Sequence, residues 1–191
     1  MPARPTRRPR LTVELLEARE TPAAVPWTTE PFDATTSGSV PIGWTGWGSD
    51  GDPGWKVADA PAVSGRSFSS SGGSGRSGRE WLGTSRPANV SATVAVLANC
   101  LIPAQVVVRG RDLGTAKPTF YAASVVRGLD VRLLRVDRGN TTELANLKSA
   151  SYLSGVWVEL SLIAKSDRLQ VRVQRRDTGE WLNRFGGWQS S

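Results

Sequence analysis

Apolar and polar residues alternate along residues 168–174, where Leu169, Val171 and Val173 share one side and arginine and glutamine residues occupy the other. A period of two places successive side chains on opposite faces of a β-strand, so this run predicts a strand with one buried face. Residues 157–163 alternate in the same way. The short polar segment between the two runs, residues 165–167, is typical of a hairpin turn.

Further strands are predicted upstream, where short runs are rich in β-branched and aromatic residues. They span residues 90–97, 105–109, 120–126, 131–136 and 141–144, with turn signals at 127–128 and 138–140. Short strands separated by turns predict an all-β fold. No long run with the hydrophobic period of a helix occurs among them. We expect an antiparallel two-sheet sandwich of the jelly-roll kind over residues 27–191.

Residues 1–26 differ from this pattern because they are rich in proline and arginine and contain few apolar groups. Leu11, Leu15 and Leu16 share one face of a short helix that Pro22 would end, so we expect a helical or disordered tail outside the core. Residues 7–22, a basic start followed by Leu-x-Val-Glu-x-Leu-Glu-x-Arg, resemble the planctomycete-type N-terminal sorting segment. That resemblance implies an extracellular or cell-surface location.

The amino-acid composition excludes several kinds of catalytic and metal-binding site. The chain contains no histidine, which excludes imidazole acid–base catalysis, Ser-His-Asp nucleophiles and the usual zinc sites. Its single cysteine, Cys100, lies in the apolar run 94–102, where a small buried residue is expected. With one cysteine, no disulfide can form within the chain.

The formal net charge of +7 comes mainly from arginine and attracts polyanions. Part of the excess lies in the tail, and the other basic residues are spread along strands without any recognised nucleic-acid motif. We therefore expect no specific nucleic-acid partner. No apolar run approaches the length of a transmembrane segment.

An ordered series of features extends from residue 32 to 183: Phe32-Asp33, Pro41-Ile42-Gly43-Trp44, residues 63–68, Trp81-Leu82, residues 120–123, residues 131–136, and a Gly-x-Trp strand at 155–162 followed by a hairpin. This series resembles the laminin-G-like and concanavalin A-like lectin–glucanase superfamily. The resemblance implies a jelly roll that binds carbohydrate or mediates adhesion. Such domains usually end in a strand that pairs beside the first, whereas this chain ends at residues 186–191, so we expect an irregular closing segment or a truncated sequence.

Trp44, Trp47 and Trp55 are the candidate ligand-binding residues, since they cluster among glycine and aspartate residues. An exposed indole ring can stack on the apolar face of a pyranose. The alternative is that these tryptophans cover the edge of the sandwich.

Asp50 and Asp52, together with Asp33, are the candidate metal ligands. Carboxylate oxygens are the ligands that Ca²⁺ prefers, and Ca²⁺ is the only cofactor that the sequence suggests. Asp-Gly pairs also mark turns, so a turn without metal is the alternative.

Glycoside hydrolysis needs two carboxylates, one to protonate the leaving oxygen and one to act as nucleophile or base. No Glu-x-Asp-x-Glu run is present, and Glu159, inside a predicted strand, is better explained as a cross-strand partner of arginine. We therefore expect a non-enzymatic carbohydrate-binding or adhesion module whose partner is a polysaccharide or an acidic cell-surface glycan. The alternatives are a sugar-processing domain resembling the 3-keto-disaccharide hydrolase type and a purely structural spacer.

Overall fold

The computed structural model describes residues 29–70, 76–83 and 89–190, so the predicted tail and its sorting segment lie outside the described residues. Within these ranges the chain forms thirteen β-strands and no helix, which confirms the all-β prediction. No helix long and apolar enough to cross a membrane occurs in this part of the chain.

The strands follow one another at short intervals along the chain. In order they are β1 (Trp44–Gly48), β2 (Trp55–Ala58), β3 (Ser67–Ser70), β4 (Gly78–Leu82), β5 (Val90–Ala98), β6 (Ala104–Arg111), β7 (Thr119–Val125), β8 (Asp130–Asp137), β9 (Asn140–Lys148), β10 (Val156–Lys165), β11 (Arg168–Arg175), β12 (Trp181–Leu182) and β13 (Trp188–Gln189).

Two antiparallel sheets form the sandwich. One has the strand order β13-β12-β11-β10-β5, and the other is a simple meander, β6-β7-β8-β9. The chain therefore passes from one sheet to the other between β5 and β6 and again between β9 and β10. Two smaller pairs, β1 with β4 and β2 with β3, precede the sandwich in the chain.

The core lies between the two main sheets, and β10 supplies its centre. Val158, Leu160 and Leu162 are fully buried on the inner side of this strand, as the alternating pattern predicts. They belong to one apolar cluster with residues of the facing sheet, among them Ala123, Val125, Val131 and Leu133. Burial of such side chains is the main favourable term that stabilises the sandwich.

The strands predicted over residues 90–174 are confirmed, each within a few residues of its expected bounds except β9, which runs four residues further. The turn between β10 and β11 consists of Ser166 and Asp167, because Lys165 already pairs with Arg168. Gly139 closes the β8–β9 hairpin with a φ of 83°, a conformation that glycine adopts without steric cost.

The prediction of a buried Cys100 is wrong, because β5 ends at Ala98 and Cys100 is exposed in the following loop. The apolar run continues past the end of the strand, so Leu101 and Ile102 are exposed as well. Sequence patterning also missed the four strands before residue 83, whose glycine and serine residues are typical of loops.

Replacing Leu160 with alanine should lower the free energy of unfolding by about 2–5 kcal/mol, because the change leaves a cavity at the centre of the core. Chemical denaturation followed by tryptophan fluorescence measures the difference. The matched control is Ile42→Ala, which removes an apolar side chain that is 98% exposed and should change stability little. Equal losses for the two variants would contradict this position of the core.

Candidate ligand-binding groove

Trp44 and Trp55 are half-buried in an aromatic cluster that joins the two small sheets. Phe68 lies at its centre, with its ring centroid 5.5 Å from that of Trp44, 5.6 Å from that of Trp55 and 5.2 Å from that of Phe32. The indole nitrogen of Trp44 is buried without a hydrogen-bond partner among the described residues. The cluster favours a packing role for these two tryptophans, which was the alternative left open by the sequence.

Trp47 lies apart from this cluster. It is separated from Trp44 by three positions on β1, so the two side chains point to opposite faces of the strand. The Arg79 guanidinium lies 3.9 Å above the centroid of the Trp47 ring, within the range of a cation–π interaction. Arg79 also donates hydrogen bonds to the carbonyl oxygens of Leu113, at 2.6 Å, and Thr115. Trp47 and Arg79 together attach the β1–β4 pair to the loop before β7.

The three predicted metal ligands have separate partners. Asp33 accepts a hydrogen bond of 2.8 Å from the backbone amide of Arg66, and Asp52 accepts one of 2.8 Å from that of Gly54. Asp50 forms a 2.9 Å ion pair with Arg76. Within the described ranges, no group of three or more acidic or cysteine side chains is placed to hold a metal ion. The structure therefore does not bring the predicted Ca²⁺ ligands together.

Glu80 is a half-buried acid near Asp52. Both of its carboxyl oxygens are buried without a hydrogen-bond partner among the described residues. Burial raises the pKa of Glu80, and the nearby charge of Asp52 raises it further. A raised pKa is typical of a general acid. However, a carboxyl group whose oxygens do not reach solvent cannot contact a substrate in this conformation.

An open groove with a volume of about 910 Å³ lies on the outer face of the four-stranded sheet. Side chains of all four strands line it, together with the loops that follow β5, β7 and β9. Most of its lining on the strands is polar: Gln105, Ser124, Asp130, Arg132, Glu143 and Lys148.

Arg132 lies between two carboxylates of the groove. Its guanidinium donates a 2.8 Å hydrogen bond to Asp130 and approaches Glu143 at 3.7 Å. The hydrogen bond from Arg132 lowers the pKa of Asp130, and the charge of Lys148 contributes in the same direction. Asp130 is therefore ionised at neutral pH, so it accepts hydrogen bonds and does not donate a proton.

An aromatic ring and two further cations complete the groove. Tyr152 is 69% exposed, and its ring lies against Gly128, where a Cβ atom would come within 2.8 Å of a ring carbon. The Arg127 Nε atom is buried without a hydrogen-bond partner among the described residues. The Lys148 side chain forms no ion pair or hydrogen bond within the described ranges, so its ammonium group can interact with an anion as well as with the nearby Asp130.

The sequence analysis did not identify this groove. The strands that carry Asp130, Arg132 and Glu143 were predicted, and alternation alone places Asp130 and Arg132 on one face. The position of Glu143 next to Arg132 depends in addition on how β8 pairs with β9. A β-bulge shifts the register of this pair between Leu133 and Leu134. A bulge in a partner strand leaves no signal in a single sequence.

Glu159 forms a 3.3 Å ion pair with Arg176, which confirms that it is a partner of arginine. It lies on β10, in the five-stranded sheet, and is not among the residues that line the groove. Glu159 therefore has a structural role in the described part of the chain.

Comparison with known proteins gives no match to any family model, curated protein or solved structure. The antiparallel sandwich is compatible with a jelly roll.

Replacing Arg132 with glutamine should raise the pKa of Asp130 towards the ordinary aspartate range, because the main cause of its low value is removed. The ionised form of Asp130 stabilises the folded protein at neutral pH, and this contribution is lost as the pH falls through the lowered pKa. Carboxyl-carbon NMR titration measures the midpoint. Arg135→Gln, on the same strand, should leave it unchanged, and equal midpoints in the parent and Arg132→Gln would refute the assignment.

Proposed function

We propose that this protein is a non-catalytic carbohydrate-binding module and that it binds an acidic polysaccharide in the groove of the four-stranded sheet. The observation that carries the proposal is the combination, in one open groove, of an exposed tyrosine ring, two cations that form no ion pair within the described ranges and a row of hydrogen-bonding side chains. Each of these features matches one chemical property of an acidic sugar chain.

The tyrosine ring supplies the stacking surface. The apolar face of a pyranose packs on an aromatic ring, and Tyr152 presents such a ring at the rim of the groove. The amide of Gln105 and the carboxylates of Asp130 and Glu143 are suited to hydroxyl groups, since each can accept a hydrogen bond from one. The sugar hydroxyls would thus be bound by strand residues and the sugar face by a loop residue.

The cations favour an acidic ligand over a neutral one. Arg127 and Lys148 can each bind a carboxylate or sulfate group, and such charge-assisted hydrogen bonds are stronger than neutral ones. The overall positive charge of the chain supports the same choice because it attracts polyanions before contact. This part of the affinity should weaken as salt rises.

The electrostatics of the groove favour binding without turnover. Cleavage of a glycosidic bond needs a carboxyl group that is protonated at the working pH. Asp130 has a lowered pKa, and Arg132 lies between it and Glu143. This arrangement favours two fixed acceptors over an acid–base pair, so we assign no catalytic residue.

We also propose that the protein is exported or lies at the cell surface, and that it is a member of the laminin-G-like and concanavalin A-like superfamily. The sorting-like residues 7–22 support the location, and the antiparallel sandwich supports the superfamily. Trp44, Trp47 and Trp55, the residues first expected to bind the sugar, take structural roles in this proposal.

Tyr152→Ala should weaken retention on immobilised polygalacturonate by about 1 kcal/mol, roughly fivefold, because one stacking contact is lost. Lys148→Gln should weaken retention on polygalacturonate while leaving retention on neutral dextran unchanged. Affinity electrophoresis measures both effects, and near-ultraviolet spectra show that the variants are folded.

The matched controls are Phe185→Ala, which removes an exposed aromatic ring that does not line the groove, and Lys165→Gln, at the opposite end of the sandwich. Both should bind as the parent does. If folded Tyr152→Ala and Lys148→Gln also bind like the parent, or if the parent binds nothing at low salt, the structural-spacer alternative replaces this proposal.

A further inference from the structure

Four loops are joined by backbone hydrogen bonds at one end of the sandwich: residues 99–103, 126–129, 149–155 and 183–187. We call them the loop end. The amide of Arg127 donates to the carbonyl of Cys100 at 2.8 Å, and that of Gly128 donates to Leu153 at 2.7 Å. The amide of Ala150 donates to Gly186 at 2.7 Å. These bonds hold the four loops as one surface.

The loop end exposes four large apolar side chains. Phe185 is 78% exposed, Tyr152 69%, Leu101 65% and Ile102 53%. Leu101 and Ile102 continue the apolar run of β5 beyond the point where the strand stops. Single exposed apolar residues are ordinary on protein surfaces, but several on loops that contact each other mark an interaction site.

All charged side chains of the loop end are basic. The four loops contain Arg127 and Arg184 and no acidic residue, and Lys148 comes directly before the third loop. The Arg184 guanidinium lies 4.6 Å from the centroid of the Phe185 ring, so a cation and an exposed aromatic ring occupy the same loop. Asp130, next to the second loop, is already bound by Arg132. A partner of this surface is therefore expected to be anionic.

We propose that the loop end docks onto an anionic lipid surface. Apolar side chains at loop tips can enter the boundary between headgroups and acyl chains, while neighbouring cations contact lipid phosphate or carboxylate groups. A protein partner would instead have to supply both an apolar pocket and acidic groups in matching positions. An anionic bilayer offers both properties to any arrangement of these residues, which is why the composition favours it.

Lipid docking would be a further function beside polysaccharide binding. It would also set the direction in which the groove faces relative to the lipid surface. Leu101 and Tyr152 line the groove and also belong to the loop end. A domain docked through the loop end would hold the mouth of the groove next to the lipid surface, where glycans attached to that surface are concentrated.

The apolar contribution is tested with a triple variant, Leu101→Ser, Ile102→Ser and Phe185→Ser. Co-flotation with phosphatidylcholine vesicles, with and without phosphatidylserine, measures binding. We expect the parent to bind the anionic vesicles and the triple variant to bind them at least about tenfold more weakly, since three apolar contacts are lost. Ile42→Ser is the matched control, because Ile42 is 98% exposed but lies outside the loop end, and it should bind like the parent.

The charge contribution is tested with Arg184→Gln, which leaves the groove residues intact. We expect a loss of about fivefold on anionic vesicles, the effect of one basic group near such a surface. Lys165→Gln, at the last residue of β10 and the opposite end of the sandwich, should have no effect. Parent binding that does not depend on phosphatidylserine, or a triple variant that binds as well as the parent, would overturn the docking proposal.

Free oligogalacturonate in solution separates this proposal from the groove proposal. A double variant, Ile102→Ser and Phe185→Ser, leaves every residue that lines the groove intact and should still bind the free sugar through Tyr152 and the groove cations. If the parent binds vesicles but no sugar, the groove proposal fails and docking stands. If the parent binds sugar but not vesicles, docking fails and the groove proposal stands.

Discussion

The inner side of β10 is the constraint on which the rest of this structure depends. The strand pairs with β5 on one side and β11 on the other, and Val158, Leu160 and Leu162 fill the space under the facing sheet. Fully buried branched side chains at alternating positions fix the register, because a slip of one residue would turn them all to solvent. The two sheets are thus held face to face by the most regular pattern in the chain.

Because the core lies between the sheets, the outer face of the four-stranded sheet is available for other interactions. One end of this face is apolar, with Phe120, Leu134 and Val136 packed under Leu113. The other end carries the polar groove and opens at the loop end. The β1–β4 pair is joined to the loop that contains Leu113 by the hydrogen bonds of Arg79. The aromatic cluster of Trp44, Trp55 and Phe68 lies in the two small sheets and contributes no residue to the lining of the groove.

The sequence predicted the strands of the sandwich because burial on one face imposes a visible period of two. It could not show the groove, since that depends on which residues of β8 and β9 are neighbours and on a bulge at Leu133–Leu134. Residue type could not distinguish two roles of Trp44, because stacking on a sugar and packing in an aromatic cluster use the same indole ring. The apolar run at residues 94–102 wrongly predicted that Cys100 is buried, because such a run does not show where its strand ends.

The central claim is that recognition takes place on the groove and not on the tryptophans, and amide and indole NMR shifts during titration with oligogalacturonate test it most directly. The account predicts shifts at Gln105, Arg132, Glu143 and the loop of Tyr152, with the indole signals of the tryptophans unchanged. Shifts confined to the indoles of Trp44, Trp47 and Trp55, with a silent groove, would contradict it.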